Sequence, residues 1–239
     1  MAGHSKWANI KHRKGKADAK KGKLFSRASK EIINAVKHGG PDPKANMRLK
    51  IAIGRAKEVN FPNDNIDKLI KKASSTDQEA YHEIQYELYG HGGIGIIVDI
   101  MTDNKNRISS EIRVATNKRG GHVATPGSVA FNFDRKGVLT VSKEHAREDE
   151  LFLAVSGAGA EDFVAEEDTF VILTPPEALD QVREAIKNLG VVIDHAALEW
   201  VPKSEVVCSQ HDIDSNNALV EWIEELDDVE AVFHNMQLS

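Results

Sequence analysis

The side chains best suited to chemistry in this sequence are cations. Lys6, Lys11, Arg13, Lys14, Lys16, Lys20, Lys21, Lys23, Arg27 and Lys30 place ten positive groups within the first 30 positions. Ammonium and guanidinium groups hold phosphates through charge and counterion release, which needs many cations and no fixed spacing. Gly15 and Gly22 let the backbone follow a groove closely. Trp7 offers a ring to stack on a base or a ribose. Downstream, Lys37, Lys44, Arg48 and Arg55 extend the same charge, and Arg107, Arg113, Lys118 and Arg119 form a second, thinner basic set.

Other chemistries have weaker support. Gly90-His91-Gly92-Gly93-Ile94-Gly95 matches G-x-G-x-x-G. A dinucleotide site needs that loop to open a helix, whereas here a strand-like run, Ile96 to Ile100, follows. A glycine-rich hairpin turn is the expectation. No phosphate-loop, nucleophile-elbow or H-E-x-x-H pattern occurs, and the histidines are scattered. The acidic cluster Glu224, Glu225, Asp227, Asp228 and Glu230 is expected to be a solvated helix face. One cysteine, Cys208, excludes a disulfide framework and fits a reducing compartment. The sequence thus predicts no enzyme, no cofactor and no small-molecule substrate.

The net charge of -6 hides a segregation. Residues 1–72 carry 19 Lys and Arg against 6 Asp and Glu, net +13; residues 73–239 carry 12 against 31, net -19. Such asymmetry points to a polyanionic partner for one end. No apolar run nears the roughly 18 residues of a membrane span, and no apolar core follows the N-terminal cations as a secretory signal requires. A cytoplasmic protein without a membrane partner is expected.

Three elements must position the cations. Residues 1–22 lack sustained apolar periodicity and predict a basic arm. Leu24, Phe25, Ala28, Ile32, Ala35 and Val36 then recur at helical spacing, with Lys23, Arg27, Lys30, Asn34 and Lys37 on the opposite face. Asp42-Pro43 predicts the start of a second helix, with Ala45, Leu49, Ala52, Ile53 and Ala56 as its apolar stripe. Ile66, Leu69, Ile70 and Ala73 predict a third. Beyond residue 80, short strands and helices alternate. Expected are strands at Ile84–Leu88 and Ile94–Met101, a helix over 104–118 with an Arg107–Glu111 pair, and a hairpin turned by Asp134-Arg135-Lys136-Gly137. Thr174-Pro175-Pro176-Glu177 has the form of a capping box. Two antiparallel sheets, each with helices on one face, fit this order.

The opening MAGHSKWANIKHRKGKADAKKGKLF resembles the YebC/PmpR family, whose members begin with a GHSKW-x-N-I-K-H motif, further cations and a KGK-[IL]-F step. KEIINAVKHGGPDPKANMRLKIAI, YELYGHGGIGIIVDIMTDNKNR, GSVAFNFDRKG and GAGAED continue the likeness over nearly the whole chain. The resemblance implies an α+β multidomain fold: an N-terminal three-helix domain (1–75) and two small ferredoxin-like α+β domains, one over 76–129 and 205–239, the other inserted over 130–204. It implies a regulator of gene expression, a DNA-binding transcription factor in most members. The alternative is a translation factor on ribosomal RNA that relieves stalling at proline-rich stretches. On either reading Lys6, Trp7, Lys11, Arg13, Lys14, Lys16, Lys20, Lys21, Lys23, Arg27, Lys30, Lys37, Lys44, Arg48 and Arg55 are the expected nucleic-acid contacts. No residue type chooses between DNA and RNA.

Overall fold

The structure is a computed structural model that describes residues 21–75 and 80–237. Three helices come first: α1 (Lys21–Gly39), α2 (Met47–Glu58) and α3 (Asn63–Ser75). Their apolar stripes meet in one core of Ala28, Ile32, Val36, Leu49, Ala52, Ala56, Phe61 and Ile66. Phe25 packs edge-on against Phe61, ring centroids 5.0 Å apart. α2 starts later than Asp42-Pro43 predicts, and Ala45 stays exposed before it. Asn46 is the N-cap instead: its side-chain oxygen accepts from the Leu49 N–H at 3.0 Å. Its amide donates to the carbonyls of Ala35 and Gly40, both at 2.8 Å, which ties the end of α1 to the start of α2. Asp42, out in the loop, accepts from the Lys44 N–H through its carboxylate and from the Ala45 and Asn46 N–H groups through its carbonyl.

The rest is α+β. β1 (His82–Tyr89), β2 (Gly95–Thr102), α4 (Lys105–Arg119) and β3 (His122–Val123) begin an outer unit. The chain then builds a second unit: β4 (Phe133–Ser142), α5 (Glu148–Gly157), β5 (Asp162–Ala165), β6 (Thr169–Thr174), α6 (Leu179–Asn188) and β7 (His195–Pro202). It returns to complete the first with α7 (Gln210–Glu225) and β8 (Val229–His234). Among the described residues this makes seven α-helices and two four-stranded antiparallel sheets, ordered β3-β1-β2-β8 and β5-β6-β4-β7. The second unit has the β-α-β-β-α-β sequence and strand order of a ferredoxin-like fold. The outer sheet places β1 and β2 at its centre with β3 and β8 as edges, an order of its own.

β1 and β2 join through a turn in which Gly92 (φ 67°) and Gly93 (φ 80°) adopt the left-handed conformation. The G-x-G-x-x-G match is therefore the hairpin turn that its following strand predicts. α4 and α7 cover one face of the outer sheet through Ile108, Ile112, Leu219 and Ile223. On the other face Ile97 and Phe233 meet Val129 of the connecting loop and Phe133 and Trp200 of the second unit. In that unit Leu139, Val141, Phe170 and Ile172 pack against α5 and α6.

Two local expectations fail. Asp134–Gly137 does not turn; it lies inside β4 and pairs with Leu198–Val201 of β7. Gly137 is needed for space, since a Cβ there would stand 2.2 Å from the Thr174 hydroxyl. The Thr174 capping box does not form. Thr174 is buried at the end of β6, its hydroxyl donates to the Pro175 carbonyl at 2.8 Å, and a short 3-10 turn intervenes before α6.

Candidate nucleic-acid interface

The basic face of α1 is not an open surface. Lys30, expected among phosphate contacts, is only 8% exposed. Its ammonium donates to the carbonyls of Met101 (3.1 Å) and Asp227 (2.8 Å) and to the Asp228 carboxylate (3.2 Å). Lys23 donates to the carbonyls of Glu224 and Leu226. Arg27 meets Glu31 one turn along α1 (3.2 Å) and Glu230 on β8 (3.0 Å). Asn34 on the same face donates to Glu83 at 3.3 Å. α1 is therefore covered on two sides: its apolar face by α2 and α3, its cationic face by the turn between α7 and β8. Lys30 is corrected from a surface contact to a buried docking residue. Lys23 and Arg27 dock beside it.

Asp228 and Glu230 of the acidic cluster are the other half of this seam, so for these two the expected place on a solvated helix face is corrected, while Glu225 and Asp227 stay exposed. Glu224 and Glu225 end α7, Asp227 and Asp228 form the turn, and Glu230 lies on β8. Asp228 is 4% exposed. One of its oxygens meets Lys30; the other accepts from the Thr102 hydroxyl at 2.8 Å and from Arg107 at 2.5 Å. Burial alone would push the Asp228 pKa up, but the bonds from Arg107, Thr102 and Lys30 outweigh it and hold the pKa below the ordinary carboxylate value. At Glu230 burial wins over the attraction of Arg27 and Lys30, and the pKa is raised. Arg107 pairs with Asp228 and with Asp103 (2.7 Å), not with Glu111.

α2 keeps its charge outside. Arg48, Lys50, Arg55 and Lys57 are exposed, as is Lys44 in the preceding loop. Among the described residues none pairs with Arg48, and Arg55 has only a loose 3.6 Å contact with Glu31. Arg48 and Arg55 face a cleft of about 1190 Å³ that α1 and α2 share with the outer sheet and the α6–β7 connection. Lys37 is half-buried on the last turn of α1. Lys21 opens α1. Lys6, Trp7, Lys11, Arg13, Lys14, Lys16 and Lys20 lie outside the described residues.

Sequence reasoning missed Glu87. It is buried in β1, and its carboxylate accepts from the backbone N–H groups of Gly127 (2.6 Å), Val129 (2.7 Å) and Ala130 (2.8 Å). Burial favours its protonated form, yet the three bonds prevail and lower its pKa. This fixes the loop that leads out of the first sheet unit into the second. An isolated acid in an alternating strand carries no sequence signal for such a role.

A helical unit with an open cationic helix, carried on two antiparallel sheet units, defines a three-part α+β protein whose candidate site is built from charge. Among the described residues no group of His, Cys, Asp and Glu is gathered for a metal, and no helix is long and apolar enough to cross a membrane. The TACO1/YebC N-terminal domain model matches residues 5–76, and the model of the TACO1/YebC second and third domain matches residues 81–236. The chain belongs to the TACO1/YebC family. It is 63% identical over 238 residues to a probable transcriptional regulatory protein of Protochlamydia amoebophila, covering 100% of this chain and 97% of that one. It is 54% identical to one from Chlamydia trachomatis serovar L2, covering 99% and 100%. The crystal structure of a conserved hypothetical protein from Aquifex aeolicus superposes with a TM-score of 0.82 at 40% identity, over 92% of this chain and 91% of that one.

Proposed function

We propose that the protein is a cytoplasmic, non-enzymatic regulator of gene expression that binds nucleic acid, duplex DNA in the first instance, through its N-terminal unit. The observation that carries this reading is the surplus of cations in that unit after docking is satisfied. α1 spends Lys23, Arg27 and Lys30 on the acidic turn, while Lys44, Arg48 and Arg55 remain exposed on and before α2. Residues 1–20 add six further Lys and Arg against one Asp. A surface with that much unneutralised charge is attracted to phosphate backbones. The acidic sheet units repel a polyanion and so confine contact to the helical end. The names of the relatives, probable transcriptional regulatory proteins, favour DNA as the target.

The test is a titration of the full chain against mixed-sequence duplex DNA and against a folded ribosomal RNA fragment at several salt concentrations. Six phosphate contacts predict a roughly thousandfold loss of affinity between about 50 and 200 mM salt. Affinity that stays flat over that range would overturn the charge account. Tight binding to the folded RNA without preference among duplexes would redirect the reading to a ribosome-bound translation factor.

A further inference from the structure

The turn between α7 and β8 meets α1 with the chemistry of a phosphate backbone. Its carbonyl oxygens at Glu224, Leu226 and Asp227, with the carboxylates of Asp228 and Glu230, surround Lys23, Arg27 and Lys30. Asp228 also collects the Thr102 hydroxyl and the Arg107 guanidinium, so one anion draws donors from α1, β2 and α4. Several positive donors gathered on one negative group is how a protein holds a phosphate.

Between α1 and the turn the seam is polar, and beside it the Lys30 ammonium lies over the ring of Tyr81, which packs against the helical core. The helical unit closes its own apolar core, and the outer sheet closes another with α4 and α7. What joins α1 to the turn is charge and carbonyl oxygen. Polar interfaces between units of one chain are those that open, and a polyanion can compete for the same donors. The side chains of Arg27 and Arg107 are still 42% and 44% exposed, so phosphate can reach both from solvent while the seam is closed.

We infer that the α7–β8 turn is an internal competitor for nucleic acid: it occupies the cationic face of α1, and a bound polyanion displaces it. This rests on the nucleic-acid reading above. The closed seam lowers apparent affinity by the fraction of molecules in which it is shut, so loosening it tightens binding. The device reserves α1 for a ligand with enough charge to engage the open cations first and α1 second.

The experiment measures binding of the full-length wild type, Asp228→Asn and Glu177→Gln to mixed-sequence duplex DNA and to a ribosomal RNA fragment at one moderate salt concentration. Glu177 is exposed in the second sheet unit, so its variant controls for loss of one negative charge. Asp228→Asn is expected to bind at least about fivefold more tightly than wild type, the lower range of ordinary coupling between sites. Glu177→Gln should stay close to wild type. Hydrogen exchange on the unmodified protein gives a readout free of folding effects: saturating nucleic acid should speed exchange at residues 224–230. Wild-type binding with unchanged Asp228→Asn affinity, or with unchanged or slowed exchange over 224–230, overturns the competitor and leaves the binding reading intact. Absence of binding by wild type and Asp228→Asn alike overturns both.

Discussion

α1 and α2 carry the same sequence pattern, apolar residues on one face and cations on the other, and the fold puts them to opposite uses. In α1 the cations Lys23, Arg27 and Lys30 are drawn onto the α7–β8 turn, and Lys30 is buried. In α2 the cations Arg48, Lys50, Arg55 and Lys57 face solvent. The difference lies in what each helix finds on its polar side. Next to α1 stands an acidic turn that needs cations, since Asp228 is buried and an unpaired charge there would be costly. Next to the arginines of α2 lies an open cleft that carries both signs of charge, and the nearest opposite charges are loose: Glu31 to Arg55 at 3.6 Å, and Glu58 of α2 to Arg183 at 3.7 Å. A cationic helix face therefore says that an anion is wanted. Whether that anion is a ligand or another part of the chain depends on contacts far away in sequence.

The largest effect that could break this comparison is on stability. Lys30→Ala removes one partner of a buried pair whose side chains are 9% and 5% exposed. Loss of about 3 kcal/mol is expected, read as a fall in denaturation midpoint. A change as small as that of an exposed lysine would show that Lys30 is not a docking residue. Asn46→Ala comes next. It removes the α2 cap and the two bonds that hold Ala35 and Gly40, for about 2 kcal/mol. Both values are measurable by chemical denaturation of the full chain.

A smaller effect separates the two carboxylates of the seam by sign. The folded pKa of Asp228 is depressed, so its contribution is present above the ordinary value of about 3.9 and is lost as pH falls through the folded value. Asp228→Asn should therefore lower the melting temperature at neutral pH and converge with wild type as pH falls through that folded value. The folded pKa of Glu230 is raised. Its contribution is complete below about 4.3 and is lost as pH rises through the folded value. Glu230→Gln should thus be neutral or stabilising at pH 7, by no more than about 1 kcal/mol. Melting curves across the acid range check both. A Glu230→Gln variant as destabilised as Asp228→Asn would make the Arg27 pair an equal part of the dock.

Much of the fold was legible because local signals agreed. Apolar spacing located all three N-terminal helices, alternation located β1, a β-branched run located β2, and α4 runs between Asn104 and Gly120 with Gly120 in the left-handed conformation at φ 81°. Misreadings arose where a residue serves a distant neighbour. Asp134-Arg135-Lys136-Gly137 has the composition of a turn. Yet Arg135 pairs with Asp99 at 3.1 Å and stacks over Trp200, Lys136 pairs with Glu161, and Gly137 makes room for Thr174. The density of positive charge was legible too, but not its destination. Lys30 and Asp228 lie 198 positions apart, beyond the reach of any helical or strand period.

The smallest stability change belongs to α2, and there the contrast with α1 becomes sharpest. Arg48→Ala with Arg55→Ala removes two exposed guanidinium groups, one unpaired among the described residues and one loosely paired. Stability should move by less than about 0.5 kcal/mol per site. Nucleic-acid affinity should fall for every sequence tested, and the slope of log affinity against log salt should flatten by about two for duplex DNA, one for each phosphate that the removed arginines neutralise. Lys30→Ala should show the reverse order of effects: a large cost in stability, with the slope set by the α2 cations preserved. If the α2 double variant kept the full salt slope, Arg48 and Arg55 would be a solvated surface, and the charge that holds the polyanion would reside elsewhere in the N-terminal unit. If it lost stability as Lys30→Ala does, α2 would be docked as α1 is, and the division of labour between the two helices would fall.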